Sequence, residues 1–343
     1  MVSLSAIRES NARIATSLPS GLVAIFVGAT SGIGETSLRN LVKRTRQPRI
    51  YFLGRREEEG RRIQAELEKL NPEGKYHYLK YDLSLLKNVD EACREIQSQE
   101  SVINLLLLSS GTLITGKQTE EGLNYAPAVG YYGRTRFILN LLPQLKRASG
   151  LRRVVTVAAG GKEGKIFTDD FQANNICVLS IRGHTTSMIT LALHAISKQA
   201  PEVSFLHVYP GFVKTGLSRE LKGVLPAIAK VLFAPLVAYL HIPIEETGER
   251  QTYFPTSARF PPGSSEQKDA DGVALGEGVD VAVGVDGKLG GGVYSIDYEA
   301  EGTAEKVQHI IRGYIEDGTA EKVWKHTEEE YVRVTGTVAY ESG

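Results

Sequence analysis

The stretch Val27-Gly28-Ala29-Thr30-Ser31-Gly32-Ile33-Gly34 decides the fold of this chain. It follows an apolar run at 22–27 and leads into an amphipathic run at 33–43, so its glycines stand in a turn between a strand and a helix. Such a turn lets the backbone approach a pyrophosphate, and the start of the helix offers it free N–H groups. The residues expected to contact a dinucleotide here are Gly28, Thr30, Ser31, Gly32, Ile33 and Gly34.

Short apolar runs alternate with longer amphipathic runs through most of the chain. Apolar runs without polar alternation are typical of strands buried on both faces, and strand–helix alternation is typical of a parallel sheet. The pattern therefore predicts an α/β fold, a Rossmann-type doubly wound parallel sheet with helices on both faces. Strands are predicted at 22–27, 49–53, 76–81, 102–108, 153–158 and 203–209, and helices at 33–43, 57–70, 86–97, 123–147 and 180–198.

The pattern is weaker after residue 215. It predicts a helix at 246–257, a long loop at 260–292, a strand at 293–296 and two helix starts at the similar segments 301–307 and 317–323. An apolar stretch at 224–242 is interrupted by two prolines and a lysine, which favours a helical flap over a pocket rather than a membrane span. We expect one domain over 1–343, with its core at about 20–260 and a C-terminal loop, strand and helices at 260–343.

Composition excludes several classes of function. Lys+Arg and Asp+Glu are both 40 in 343 residues, and this zero net charge argues against nucleic acid as a partner. The two cysteines, Cys93 and Cys177, show no metal-binding spacing and no disulfide framework, which is typical of a reducing compartment. We expect no metal site, no stable membrane insertion and a cytoplasmic location, since the first residues lack the apolar core of a signal peptide.

The second predicted strand ends at Leu53-Gly54-Arg55-Arg56. Sites that prefer NAD usually have an acidic residue here for the ribose 2′-hydroxyl, whereas arginine accommodates a 2′-phosphate. Arg55 and Arg56 therefore predict NADP(H) as the cofactor. Asp82 and Leu83, at the end of the third strand, are expected to meet the adenine edge.

Together with the glycine turn and Asp82, two further motifs resemble the short-chain dehydrogenase/reductase superfamily over about 20–260. These are Ser109-Ser110-Gly111 after the fourth strand and Pro210-Gly211-Phe212-Val213-Lys214-Thr215 after the sixth. The resemblance implies that Ser110 and Gly111 contact the cofactor. It also implies contacts to the nicotinamide end from Pro210, Gly211, Val213 and Thr215.

This chain differs from that superfamily at the four positions of the catalytic tetrad. By register, its Asn, Ser, Tyr and Lys fall at Gly130, Ala159, Val178 and Arg182. Arg182 retains a cation that could hold the nicotinamide ribose. The other three positions offer no proton donor and no group that polarises a carbonyl, so ordinary ketone reduction is not expected.

Hydride addition to a cationic C=N gives a neutral amine and requires no proton at that step. Such a site needs a carboxylate, and Asp169 is our first candidate, with Asp170 beside it. Arg134 lies one helical turn after Gly130 and could enter the space that the missing Asn leaves. The other interpretation of Asp169-Asp170 is a turn or helix cap, and that of Arg134 is a salt bridge or dimer contact.

The segments 131–137, 159–164 and 169–171, with the absent tetrad, further resemble fungal bifunctional reductase/Diels–Alderases of indole alkaloid biosynthesis. This resemblance implies NADPH-dependent reduction of a cationic pyrazinone-type alkaloid, followed by an intramolecular [4+2] cyclisation to a bicyclo[2.2.2]diazaoctane. Asp169 would balance the cation, and Arg134 would position a substrate oxygen or that Asp. The second step needs mainly confinement in a shaped pocket.

Two alternatives stay open. The first is an enone or carbonyl reductase with a substitute acid, for which the candidates are Tyr131, Tyr132 and His184. The second is a non-catalytic NADP(H)-binding scaffold. A homo-oligomer is possible, since the superfamily often pairs through its long helices.

Overall fold

A central parallel sheet organises the chain. The computed structural model describes residues 1–214, 216, 241–264 and 272–339. Among these residues, seven strands form one sheet in the order β3-β2-β1-β4-β5-β6-β7, and every neighbouring pair is parallel. The strands are β1 Val23–Val27, β2 Arg49–Gly54, β3 Lys75–Lys80, β4 Leu105–Leu108, β5 Arg153–Val157, β6 Ser204–Val208 and β7 Val293–Ile296. The predicted doubly wound α/β fold is confirmed.

Helices cover both faces of this sheet. They are α1 Leu4–Ala12, α2 Ile14–Ser17, α3 Gly32–Val42, α4 Glu57–Leu70, α5 Leu86–Gln99, α6 Tyr125–Pro127, α7 Gly133–Arg147, α8 Val178–Ser197, α9 Ile244–Thr256, α10 Glu305–Glu316 and α11 Thr319–Thr335. Alternate residues of β1 enter different cores: Ile25 packs with α5, α7 and α8, whereas Phe26 packs with α3, α4 and α9. The chain turns to opposite sides of the sheet after β1 and β4, so a crevice opens at their carboxyl ends.

Several predicted elements differ from the observed ones in detail. The predicted helix at 123–147 is a continuous helical run in which a π-helical turn, Ala128–Tyr132, separates α6 from α7. The first two helices were missed, although Ser3 supplies an N-cap whose hydroxyl accepts the Ala6 N–H at 3.2 Å. The strand at 293–296 is confirmed, and α10 and α11 begin close to the two repeated segments. The predicted flap at 224–242 lies outside the described residues except for its last two.

The C-terminal helix α11 packs against α8 and α5. The Tyr331 hydroxyl of this helix donates to the carbonyl of Tyr132 at 2.8 Å. The Thr337 carbonyl, just after α11, accepts from the buried Arg136 at 2.7 Å, and Arg136 also pairs with Asp90 at 2.7 Å. A homo-oligomer that paired through α8 would therefore have to use a surface that α11 leaves open. No helix in the described part of the chain combines the length and apolarity needed to cross a bilayer.

Candidate functional site

The turn after β1 has the geometry that the glycine motif predicts. Gly28 has a φ of +84°, and a Cβ there would lie 2.5 Å from the backbone nitrogen of Ser110 at the end of β4. Gly32 begins α3 with a φ of +61°. The turn therefore passes directly over the neighbouring strand and aims the first N–H groups of α3 into the crevice, as a pyrophosphate site requires.

Two arginines stand at the carboxyl end of β2. Both Arg55 and Arg56 are exposed. The guanidinium of Arg55 donates one hydrogen bond to the Tyr125 hydroxyl at 2.7 Å, and Arg56 lies 3.7 Å from Glu59. Arg55 therefore keeps further donors directed at solvent, in a position suited to a 2′-phosphate.

The end of β3 carries an acid with a local partner. One carboxylate oxygen of Asp82 accepts the Ser84 N–H at 3.0 Å and the Ser84 hydroxyl at 2.8 Å. Leu83 is buried beside it. The Asp82 side chain holds this turn, which lies on the predicted adenine side of the crevice.

Arg134 lies at the centre of the crevice, beneath the end of β4. Its Nε donates to the carbonyl of Ser110 at 3.0 Å, and its Nη1 donates to Thr156 Oγ1 at 2.7 Å and to the Val157 carbonyl at 2.9 Å. Its Nη2 is 3.8 Å from where a Cβ on Gly111 would stand. Burial lowers the Arg134 pKa to about 10, so the group is still a cation near neutral pH.

This arrangement decides between the interpretations of Arg134 that the sequence left open. The hydrogen-bond acceptors of Arg134 are two carbonyls and one hydroxyl, and no carboxylate pairs with it among the residues that the structure describes. The alternative interpretation of Arg134 as a salt bridge is therefore wrong for the described residues. The side chain joins α7 to the ends of β4 and β5 and places an unneutralised positive charge beneath the crevice.

The position that the resemblance assigns to Asn lies in the π-helical turn. A Cβ on Gly130 would meet nothing within 4 Å, so this residue faces open space. π-helical turns occur frequently at functional sites because they redirect one side chain out of the helical register. Here the turn presents a residue without a side chain, which enlarges the space at that point.

Ala159, the position assigned to Ser, is held by a buried polar network. Its N–H donates to His207 Nε2 at 3.2 Å, so His207 Nδ1 carries the proton and donates to Thr190 at 2.8 Å. The Thr190 hydroxyl donates in turn to the buried carboxyl of Glu163 at 2.7 Å. Burial, aided by the Arg134 charge, lowers the His207 pKa to about 3, and burial raises the pKa of Glu163. The network fixes the loop after β5 without reaching the substrate space.

Arg182, the position assigned to Lys, faces the end of β6. Its guanidinium carbon lies 5.4 Å from the centre of the Tyr209 ring, and the ammonium of Lys162 lies 5.4 Å from the same centre. Val178 begins α8, as the register placed it. Two cations thus meet one tyrosine at the edge of the sheet where the glycine turn lies, and sequence reasoning overlooked this tyrosine.

The loop after β6 follows directly from Tyr209. Pro210 is buried, and Gly211 has a φ of +78°, a conformation that favours glycine. Val213 is half-buried. The predicted contact at Thr215 lies outside the described residues.

The two acids predicted for the substrate have different surroundings. Asp170 accepts the backbone N–H groups of Asn174 at 2.9 Å and Asn175 at 2.6 Å, which is the turn-forming role that the sequence left open. Asp169 is exposed in a groove between its own loop and α11, beside Lys325 and His326. Arg134 does not line this groove, so the structure does not bring the two predicted catalytic residues together.

The three predicted substitute acids are occupied elsewhere. The hydroxyls of Tyr131 and Tyr132 bond to Thr327 at 2.6 Å and His326 at 2.7 Å, both on α11, and burial raises both tyrosine pKa values. His184 accepts the Phe167 N–H at 3.2 Å through Nδ1, and its Nε2 lies 3.1 Å from the Phe171 carbonyl. None of the three is therefore available as a proton donor at the crevice.

Apolar side chains surround the crevice on several loops. Leu113 and Ile114 follow β4, Leu179 opens α8, and Phe212 follows β6, and all four are exposed. Because the carboxyl ends of parallel strands share one edge, these four side chains, here called the apolar rim, belong to the edge of the sheet where the crevice opens. The rim is suited to an apolar small molecule.

Sequence comparison finds relatives of this chain among known proteins. The sequence pattern of the short chain dehydrogenase family matches residues 22–166. The chain is 38% identical to oxidoreductase andH of Emericella variicolor, over 98% of this chain and 99% of that protein. It is 36% identical to oxidoreductase AN1596 of Emericella nidulans, over 96% of this chain and 97% of that protein.

The fold is also similar to that of solved structures. Pseudomonas aeruginosa RhlG, in an NADP active-site complex, superposes with a TM-score of 0.55 at 14% identity. The match covers 77% of this chain and 98% of RhlG. At this identity the similarity concerns the arrangement of the strands and helices alone.

Proposed function

Because the chain belongs to the short-chain dehydrogenase family, we propose that it is an NADP(H)-dependent reductase of a bulky, apolar carbonyl or enone compound. The observation that carries this proposal is the positive charge at the carboxyl ends of β4, β5 and β6. Arg134, Lys162 and Arg182 all lie there. Such a field stabilises an acceptor on which negative charge develops, as it does on the oxygen of a ketone or enone.

The cofactor is NADP(H), and the residues present fit it. A Cβ at Gly28 would strike Ser110, so the turn leaves only backbone where a pyrophosphate would lie. The exposed Arg55 stands where a 2′-phosphate would be recognised. When bound, NADPH supplies the hydride of the reaction.

The acids near the crevice support the same acceptor. Glu163 is enclosed by Thr190 and Ser295, and Asp82 is bonded to Ser84. Glu163 is therefore enclosed within the protein, and the exposed Asp82 follows β3, four strands along the sheet from β5. The apolar rim favours a hydrophobic acceptor, and the missing side chain at Gly130 leaves room for one with several rings.

A second candidate is the reduction of a cationic C=N in an indole alkaloid, coupled to [4+2] cyclisation. Two observations favour it: Ala159 and Gly130 carry no polar side-chain group, and Asp169 is an exposed carboxylate without a partner in the described part of the chain. In this alternative, Asp169 balances the substrate cation and the enlarged pocket confines diene and alkene. Repulsion between the cationic substrate and the unneutralised Arg134 opposes this alternative.

Consumption of NADPH by the purified full-length protein distinguishes these proposals. The acceptors are α-tetralone as the ketone, carvone as the enone and an N-methyl dihydroisoquinolinium salt as the iminium. We expect turnover of the ketone or enone, with a preference for NADPH over NADH. Turnover of the iminium salt alone would select the second candidate. Tight NADPH binding without turnover of any acceptor would overturn both and support a non-catalytic scaffold.

A further inference from the structure

We propose that Tyr209 is the proton donor of this site and replaces the tyrosine that is missing at position 178. This inference rests on the proposed carbonyl or enone reduction. A ketone requires a proton at its oxygen, and an enone requires one at its α carbon. In the described part of the structure, the three substitute acids that the sequence suggested are all bonded elsewhere. Tyr209 directly follows the carboxyl end of β6, on the same edge of the sheet as the crevice.

The continuation of β6 sets the direction of the Tyr209 side chain, because the Tyr209 N–H extends the ladder by donating to the Ile296 carbonyl at 2.9 Å. Side chains two residues apart on a strand point to the same face. His207 faces Ala159 and Thr190, so Tyr209 points to that same side, one step nearer the open edge of the sheet. This places its ring beside the loop that carries Ala159 and beside the first turns of α8, where the superfamily's Tyr and Lys would stand.

Two cations lie close to the Tyr209 ring. Arg182 and Lys162 each lie 5.4 Å from the ring centre, within the range of about 6 Å in which a cation is attracted to an aromatic ring. The same two cations lie beside the ring when the hydroxyl gives up its proton. Arg182 thereby retains the task of a cation next to a catalytic tyrosine, although the tyrosine now comes from a strand rather than from the same helix.

The Tyr209 hydroxyl is also available. Within residues 1–214, 216, 241–264 and 272–339 it has no hydrogen-bond partner, and the side chain is half-buried. The hydroxyls of Tyr131 and Tyr132, by contrast, form hydrogen bonds with residues of α11. A half-exposed phenol at the crevice can be reprotonated from water after each turnover.

A hydride and its electron pair add to the carbonyl carbon, and the C=O π bond breaks toward oxygen. The O–H bond of Tyr209 then breaks and its proton joins that oxygen, which gives an alcohol. The acceptor is reduced by two electrons and the nicotinamide is oxidised by two. For an enone, the hydride adds to the β carbon and the proton completes the saturated ketone.

The simpler interpretation is that Tyr209 only packs against Arg182 and Lys162 and shapes the cofactor pocket. Tyr209→Phe separates the two because it keeps the ring and both cation contacts and removes only the hydroxyl. Tyr76→Phe is the matched control, since the Tyr76 hydroxyl donates to the Asn71 carbonyl at 2.7 Å at the opposite end of the sheet. Neither substitution is expected to change the affinity for NADPH, measured by calorimetry.

We expect Tyr209→Phe to lower turnover of the carbonyl acceptor accepted by the wild type by about 10²–10⁴-fold, the range typical of general acid catalysis. A second readout requires no turnover. With NADP⁺ bound, an acidic fluorinated alcohol, phenyl trifluoromethyl carbinol, should bind about 10-fold more weakly to Tyr209→Phe than to the wild type. Tyr76→Phe should match the wild type in both measurements.

The possible outcomes separate this inference from the proposed function. If the wild type reduces no carbonyl acceptor, the proposed function fails, whatever Tyr209 does. If the wild type is active and Tyr209→Phe retains near-normal turnover and alcohol binding, the proton donor is another group. A loss of NADPH affinity in Tyr209→Phe that accounts for the whole loss of turnover would also overturn the inference, because the residue would then shape the cofactor pocket.

Discussion

The guanidinium of Arg134 donates to the carbonyl of Ser110 at 3.0 Å and so joins α7 to the loop after β4. The contact holds a buried cation 3.8 Å from the Cβ position of Gly111, at the predicted cofactor loop, and no carboxylate among the described residues pairs with it. A buried charge is costly unless its donors are satisfied, and here carbonyl and hydroxyl oxygens satisfy them. The site therefore combines a positive field with a rigid loop.

Arg134→Lys tests how much of this depends on the planar guanidinium. Lysine keeps the charge but cannot reach Ser110, Thr156 and Val157 together, so buried acceptors lose their donors. We expect a loss of about 1–3 kcal/mol in the free energy of unfolding, measured by urea denaturation. Arg61→Lys, on the exposed surface of α4, is the control and should change it by less than about 0.5 kcal/mol. Equal effects in both variants would contradict the assigned role.

His207 predicts a dependence of stability on pH. Its folded pKa of about 3 lies below the unfolded value of about 6.5, so between these values the unfolded chain binds a proton that the folded chain does not. Stability should therefore fall as pH decreases through this window, by at most about 1.4 kcal/mol per pH unit from this group.

The His207→Gln variant removes this titration. The plot of its unfolding free energy against pH, from urea denaturation between about pH 4 and 7, should be shallower than that of the wild type. Glu163 acts with the opposite sign, because its pKa is raised in the folded state and its contribution is lost as pH rises through that value. Parallel pH profiles for the two proteins would mean that His207 does not remain neutral in the folded chain.

Arg55 and Arg56 should determine the choice between the two nicotinamide cofactors. Replacing both by alanine removes charge-assisted contacts to a 2′-phosphate, which are worth about 1.5–3 kcal/mol each. We expect NADPH binding to weaken by at least about 10-fold while NADH binding stays the same, as measured by calorimetry. Arg61→Ala, on the exposed side of α4, should leave both affinities unchanged. Equal weakening for both cofactors would assign the arginines a general role.

Ala159→Ser should partly restore the missing polar group. The backbone of this residue is fixed by the bond to His207, so a hydroxyl would be held in place beside the crevice. We expect turnover of a ketone to rise by about 10-fold, less than the 10²–10³-fold typical of an evolved oxyanion donor. Ala158→Ser, one residue earlier, is the control. Unchanged turnover in Ala159→Ser would show that position 159 does not face the reacting oxygen.

The sequence by itself determined the fold and the cofactor, and it predicted where the cofactor contacts lie. The turn at 27–34, the apolar strands and Arg55 are properties of contiguous residues, so spacing and residue type predict them without knowledge of distant contacts. The same holds for Ala159, because its place after the fifth strand and its apolar side chain are both read directly from the sequence.

Only the tertiary structure decided which side chains meet. Asp170 forms a local turn, Arg134 is directed at Ser110, and Tyr131 and Tyr132 bond to a helix that begins nearly two hundred residues later. The meeting of Tyr209 with Arg182 and Lys162 likewise joins β6, α8 and the loop after β5. Contacts between residues far apart in the chain depend on how the helices pack on the sheet, and no local pattern encodes that packing.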